Sequence, residues 1–176
     1  MSVNLYDYRP AASLTAGNTL IGIASAVADI DAMTIAEANS SVMVQGATDA
    51  FSATTDVANQ SRKMIGDKVA SSKPGTRTYN MGDLTIMLGD PQAATNEVLD
   101  LLELDAELVF WIRPGLQADA DSVAAVASGQ KYVAIRAIVA AVDLRDISTS
   151  DGDEFAIVLK VSVVERTQLF GTIAAA

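Results

Sequence analysis

Two long alternating segments, "KYVAIRAIVAAVDL" at 131–144 and "EFAIVLKVSVVER" at 154–166, constrain the fold of this chain more than any other feature. Both are rich in Val and Ile and regular at a spacing of two, which is the pattern of a strand. The stretch between them, "RDISTSDGD", is turn chemistry, so the two read as an antiparallel pair. In the second segment Phe155, Ile157, Leu159, Val161 and Val163 form an apolar face, and Ala156, Val158, Lys160, Ser162, Val164 and Arg166 a mixed one. The apolar face is expected to pack inward and the mixed one to meet water or another chain.

Earlier segments extend the same theme. "ELVFWIRPG" predicts a strand stopped by Pro114 and Gly115, with Leu108, Phe110 and Ile112 on one face and Val109, Trp111 and Arg113 on the other. Trp111, the only Trp, is expected in the core because it buries so much area. "DLTIML" predicts a short strand ended by "GDP", after which Asp90 or Thr95 caps a short amphipathic helix in "NEVLDLLEL". There Val98, Leu101, Leu102 and Asp105 fall along one stripe, with Glu97, Asp100 and Glu103 on the other side. "LQADADSVAAVASGQ" reads as a flexible connection. Nearer the N-terminus, "TLIGIASAV" and "MTIAEANSSVMV" each predict a strand. The polar stretch that follows, residues 45–78, exceeds the ~12 to 15 residues that unstructured connections reach inside a compact domain. Two readings of it stand open, a concealed hairpin and a binding loop.

Composition removes most chemistry. The 176 residues hold no Cys and no His, so thiolate ligands, disulfides, a Cys nucleophile and the commonest general base and metal ligand are all missing. With 12 basic against 22 acidic residues the net charge is −10, a surface that repels phosphates. Arg62, Lys63, Lys68, Lys73 and Arg77 are spread along one segment and make no dense patch for nucleic acid. Half of the residues are hydrophobic and the mean hydropathy is +0.27, high for an isolated soluble monomer and suggestive of apolar surface buried between subunits. "MSVNLYDYRP" lacks the pattern of a signal peptide, and "LIGIASAVADI" is too short and too acidic to cross a bilayer, so no membrane insertion is expected.

The remaining motifs are weak. Ser128-x-x-Lys131 matches a nucleophile pattern but sits in a Gly-containing turn before a strand. Asp146, Asp151, Asp153 and Glu154 gather oxygen ligands without the spacing of a calcium loop, and a solvated acidic turn is the simpler account. Asn39-Ser40-Ser41 and Asn59-Gln60-Ser61 are glycosylation triplets by pattern only. Paired carboxylates, Asp105 with Glu107 or Asp151 with Asp153, are the best a hydrolase reading finds, and a ligand-binding β-barrel is a further alternative. No catalytic residue, metal ligand or cofactor is assigned.

The order of pieces over residues 76–173 is more specific than any one of them. A strand "LTIMLGDPQ", a short acidic helix, the strand end "WIRPG", an Ala/Asp connection, two long strands around an acidic turn and a closing "ERTQLFGTI" resemble the major tail tube proteins of long-tailed, non-contractile bacteriophages. The resemblance implies a single domain over 1–176, mainly β with one short helix, built as an antiparallel β-sandwich or small β-barrel. It implies a structural virion protein, not an enzyme, made in the host bacterial cytoplasm. Six copies would form a ring, and stacked rings the hollow tube through which DNA leaves without specific binding. Tape measure, terminator and baseplate proteins are the implied further partners; a terminator or baseplate ring protein is the related alternative. On this basis residues 1–19 are expected to form an arm on a neighbour and residues 45–78 a stacking loop. Its contact residues would be Arg62, Lys63, Met64, Ile65, Lys68, Lys73 and Arg77.

Overall fold

The computed structural model describes residues 19–48, 50–62, 71–88, 97–115, 124–145, 155–167 and 169–175. Residues 1–18 of the expected arm, the acidic turn at 146–154 and the cap candidates Asp90 and Thr95 lie outside these.

The body is a curled antiparallel sheet. At its centre lie β6 (Glu107–Arg113), β7 (Lys131–Leu144) and β8 (Ala156–Arg166), paired in that order. β1 (Leu20–Ala24) flanks β6 and carries β2 (Val42–Met43), while β5 (Leu84–Met87) flanks β8. The expected pairing of the two C-terminal strands is present, from Leu144 opposite Ile157 to Ile135 opposite Arg166. Register shifts at Arg136/Ala137 and Val139/Ala141 mark bulges in this pair, and bulges raise local twist and help a sheet curl.

Both faces of β6 are buried, which accounts for its nearly continuous apolar run. Leu108 and Phe110 face inside the curl with Ile21, Ile23, Leu84, Ile86, Ile135, Ile157 and Leu159. Val109 and Trp111 face outward into a second core with Leu20, Val27, Ile30, Met33, Tyr132 and Ile173. The inward face expected for β8 holds at Ile157 and Leu159, with Val161 and Val163 partly buried against the same cluster. Phe155 departs from it and is largely exposed, because it precedes the strand.

The outer core is roofed by residues 25–41, and here the structure overturns an expectation. "MTIAEANSSVMV" is not one strand: α1 (Ile35–Asn39) occupies its middle and only β2 remains extended. Thr34 caps the helix by accepting from the Glu37 N–H, and Glu37 reaches back to the Thr34 N–H at 2.7 Å, a reciprocal capping box that outweighs the strand preference of Ile35 and its neighbours. The roof is pinned by two buried polar bonds. Trp111 Nε1 donates to Ser41 Oγ at 2.9 Å, and the Tyr132 hydroxyl donates to Ile30 O while accepting from Met33 N–H, both at 2.7 Å. Gly22 lies under the indole, where a Cβ would come within 2.6 Å of Trp111 Nε1. The C-terminal β9 (Gly171–Thr172) pairs with the start of β7 and closes the margin of this core.

The segment after α1 does unusual work. Val44 N–H donates to Ile21 O on one margin of the sheet, and three residues later Ala47 O accepts from Met87 N–H on the other, with a bridge between Thr48 and Ile86. One short stretch therefore touches both margins of the curl.

α2 (Glu97–Leu101) is shorter than "NEVLDLLEL" suggests. Val98, Leu101 and Leu102 pack on the inner core as their stripe requires, but Asp105 leaves the stripe and is exposed. Asp105 has φ 65°, a left-handed conformation that Asp tolerates better than most residues, and it turns the chain from helix to β6.

Candidate functional site

Residues 45–78 contain a hairpin. β3 (Ala53–Arg62) and β4 (Ser71–Met81) form a separate two-stranded antiparallel sheet, from Ala53 opposite Met81 to Arg62 opposite Ser71. Only its base belongs to the body: Ala53 and Met81 pack against the inner core, and Arg166 Nη1 donates to Thr55 Oγ1 at 2.7 Å. Beyond that, every described residue from Val57 to Ser61 is exposed, and so are Lys73, Pro74, Thr76, Arg77 and Thr78. A polar strand with neither face buried lacks the alternation that betrays strands in sequence. An isolated two-stranded ribbon is also marginal in water, so the packing at its base matters to its stability.

The register places its charges. Val57 lies opposite Arg77 and Asn59 opposite Pro74, so β4 carries one extra residue at a bulge. Pro74 and Gly75, turn residues by composition, sit inside a strand here. Gly75 is required by close approach, since a Cβ would lie 2.7 Å from Ala58 O. The bulge reverses the side-chain parity, so Lys73 stands on the face opposite that of Arg77. Asn80 Nδ2 donates to Asp56 Oδ2 at 2.8 Å near the base. Of the expected contact residues, Arg62, Lys73 and Arg77 are thus brought onto one ribbon; Lys63, Met64, Ile65 and Lys68 lie outside the described residues.

Sequence reasoning missed a buried cation. Arg113, inside the "WIRPG" strand end, is fully buried, and among the described residues it has no carboxylate partner. Its guanidinium donates to the carbonyls of Ala124 and Ala125 and to Gln130 Oε1, and burial lowers its pKa. It acts as a clamp that ties residues 124–130 to the end of β6; the only signal in sequence was Arg at an inward-alternating position. Beside it a concavity of about 720 Å³ opens between the Pro114–Gly115 turn, residues 128–131 and the exposed Phe170. Ser128 and Lys131 point to no joint chemistry there: Ser128 Oγ donates to Ile173 O, and Lys131 Nζ donates to Thr172 Oγ1.

Acidic residues gather elsewhere. From Glu97 to Glu107 the chain carries five carboxylates and no cation. Asp100, Glu103 and Asp105 are exposed there around Leu104, itself 66% exposed, while Glu107 is paired at 3.7 Å with Arg136. Among the described residues Glu107 lines a concavity with Glu37 and Arg136, and Asp105 is not part of that lining. Among the described residues no group of three His, Cys, Asp or Glu side chains could hold a metal ion, and no helix is long and apolar enough to cross a membrane.

No curated protein sequence matches the chain. Among solved structures, a chain of the anti-feeding prophage baseplate, seen by cryo-EM with six-fold symmetrisation, aligns at TM-score 0.45 and 14% identity, covering 90% of this chain and 95% of that one. The sequence matches the phage tail tube protein family over residues 8–176, nearly its whole length, and the chain belongs to that family.

Proposed function

We propose that copies of this chain form six-membered rings that stack into the hollow tube of a phage tail, the conduit for DNA ejection. The observation that carries this is the β3–β4 ribbon. It leaves a well-packed body with both faces bare, as a stacking element must before the next ring covers it. Family membership supplies the virion tail as its place. The further narrowing to a long-tailed, non-contractile phage rests on the order of motifs between residues 76 and 173. A ring closed by rotation and stacked by translation needs heterologous contacts, with one surface on each copy meeting a different surface on the next. Residues 1–19 form an arm on a neighbour, and Arg62, Lys63, Met64, Ile65, Lys68, Lys73 and Arg77 supply inter-ring contacts. Tape measure, terminator and baseplate proteins meet the tube at its inside and its ends. The net charge of −10 suits a bore along which phosphates slide without sticking.

Negative-stain microscopy and light scattering of concentrated protein test this reading. Tubes, or rings that become tubes, are expected. A variant in which Val57–Arg77 is replaced by Asn-Gly keeps the base of the ribbon; it should fold, by circular dichroism, and fail to form tubes. Wild-type protein that stays a single 18.3 kDa particle at every concentration, or a ribbonless variant that builds normal tubes, overturns the proposal.

A further inference from the structure

The charge of this chain is unevenly distributed along its fold. Residues 53–81, which run from the start of β3 to the end of β4, hold five of the twelve Lys and Arg but only two of the twenty-two Asp and Glu. The ribbon segment is therefore net positive, and the rest of the chain carries seven basic against twenty acidic residues. Copies of so acidic a body repel one another, and the ribbon is the one long segment whose charge opposes that repulsion.

Topology sets ribbon and acid apart. The ribbon leaves the body where β8 finishes, at the Arg166–Thr55 bond. β6 runs in the same direction as β8, since each is antiparallel to β7. The carboxylates of residues 100–105 stand where β6 begins, fixed there by the bond from Asp105 N–H to Val139 O. Along β7 the two are four residues apart, with Arg166 opposite Ile135 and Asp105 bonded to Val139, so the positive ribbon and this acidic shoulder are separate surfaces on different strands of the sheet. Each also has an exposed apolar residue among its charges, Val57 beside Arg77 and Leu104 between Glu103 and Asp105.

We propose that the ribbon of one copy docks on the shoulder formed by Asp100, Glu103 and Asp105 of a second copy, with Arg77 on the face in contact and Lys73, on the opposite face, adding its charge at longer range. Such a contact is heterologous: each copy offers its ribbon and its shoulder as two different surfaces, and the arrangement can repeat from copy to copy. It rests on the stacking reading above and adds the surface that receives the ribbon. Charge complementarity of this kind sets register and encounter rate and weakens with salt.

Two charge reversals test it. K73E/R77E makes the ribbon acidic, and D100K/E103K makes the shoulder basic; all four side chains are exposed, and circular dichroism checks that both variants fold. Each alone should raise the protein concentration needed for tubes about tenfold or more, a change of about 1.4 kcal/mol. Mixed in equal amounts they should form tubes near the wild-type concentration, because an acidic ribbon then meets a basic shoulder and a basic ribbon an acidic one. The fourfold variant in one chain should do the same. If either reversal leaves tube formation unchanged, or the mixture is no better than its components, the docking proposal fails while wild-type tubes leave the stacking reading intact. Tubes unchanged in K73E/R77E together with lost binding of a labelled duplex DNA would assign the ribbon to nucleic acid instead. If wild-type protein forms no tubes, both readings fall.

Discussion

Tyr132→Phe removes one oxygen atom from the outer core and tests how the roof over β6 is held. The hydroxyl serves two buried backbone groups at once, the Ile30 carbonyl and the Met33 N–H, each at 2.7 Å. Without it both lose their partner where water does not reach, and an orphaned buried group costs ~1 to 3 kcal/mol. Allowing for some relaxation of residues 30–33, we expect a loss of about 3 kcal/mol at pH 8. For a chain of this size that is roughly 6–12 °C in Tm. The same oxygen carries a pH signature. Burial, and behind it the carboxylates of Asp31, Asp29 and Glu37, push the phenol up to about 12 against the opposing bond from Met33 N–H. A pKa raised on folding means that stability is fully present below the ordinary value near 10 and is lost as pH rises through 12. Two pH units correspond to about 2.7 kcal/mol, nearly the whole cost of the substitution. The gap between wild type and Y132F should therefore be about 3 kcal/mol at pH 8 and should close between pH 10 and 12. Urea unfolding of unassembled protein, followed by the fluorescence of the single buried Trp111, measures it across that range. A gap below about 0.5 kcal/mol at pH 8, or one of constant size up to pH 12, would refute the account.

Three further outcomes are expected. Glu37→Ala should cost ~1 to 2 kcal/mol at neutral pH by opening the capping box and freeing Ala28 N–H. Burial raises the Glu37 pKa, but the bonds from Ala28 and Thr34 prevail and leave it lowered, so this stabilisation is present above pH 4.5 and fades as pH falls below it; thermal melts of the two proteins should converge in acid. Arg113→Met should destabilise by ~2 to 3 kcal/mol and speed elastase cleavage within residues 124–127, whose carbonyls lose their donors. Gly171→Ala should lower Tm by an amount equivalent to ~1 to 3 kcal/mol, since the new Cβ would stand 2.5 Å from Tyr132 Cζ in a packed ring environment; unchanged melting would show that β9 shifts freely.

The parts of this fold legible in sequence are those where one or both faces of a strand meet a core. β6, β7 and β8 announce themselves through Val, Ile, Phe and Trp at the right spacing, and their order is what resembles the tail tube family. α1 was hidden because Met33, Thr34, Ile35 and Val42–Val44 favour strand, while the decisive signal, Thr34 three residues before Glu37, is only two residues wide. The ribbon was hidden for the opposite reason. "TTDVANQS" has no apolar face because this chain buries none of it, so hydrophobic periodicity had nothing to report. Its length and polarity marked an exception, and its pairing became visible only in three dimensions. Arg113 was legible as a position and not as a role, since its acceptors lie eleven or more residues further along the chain.

The stretch from Val44 to Thr48, bonded to both margins of the curled sheet, bears on what a crowded cell would do to this protein. A sheet with a bare margin is a template on which any extended chain can crystallise a further strand, and at high concentration that route leads to fibres. Here both margins are short and the same few residues occupy part of each. Indiscriminate strand addition is thereby given less backbone on which to begin. A subunit of this design can stay dispersed at concentrations where a bare sheet margin would recruit further strands.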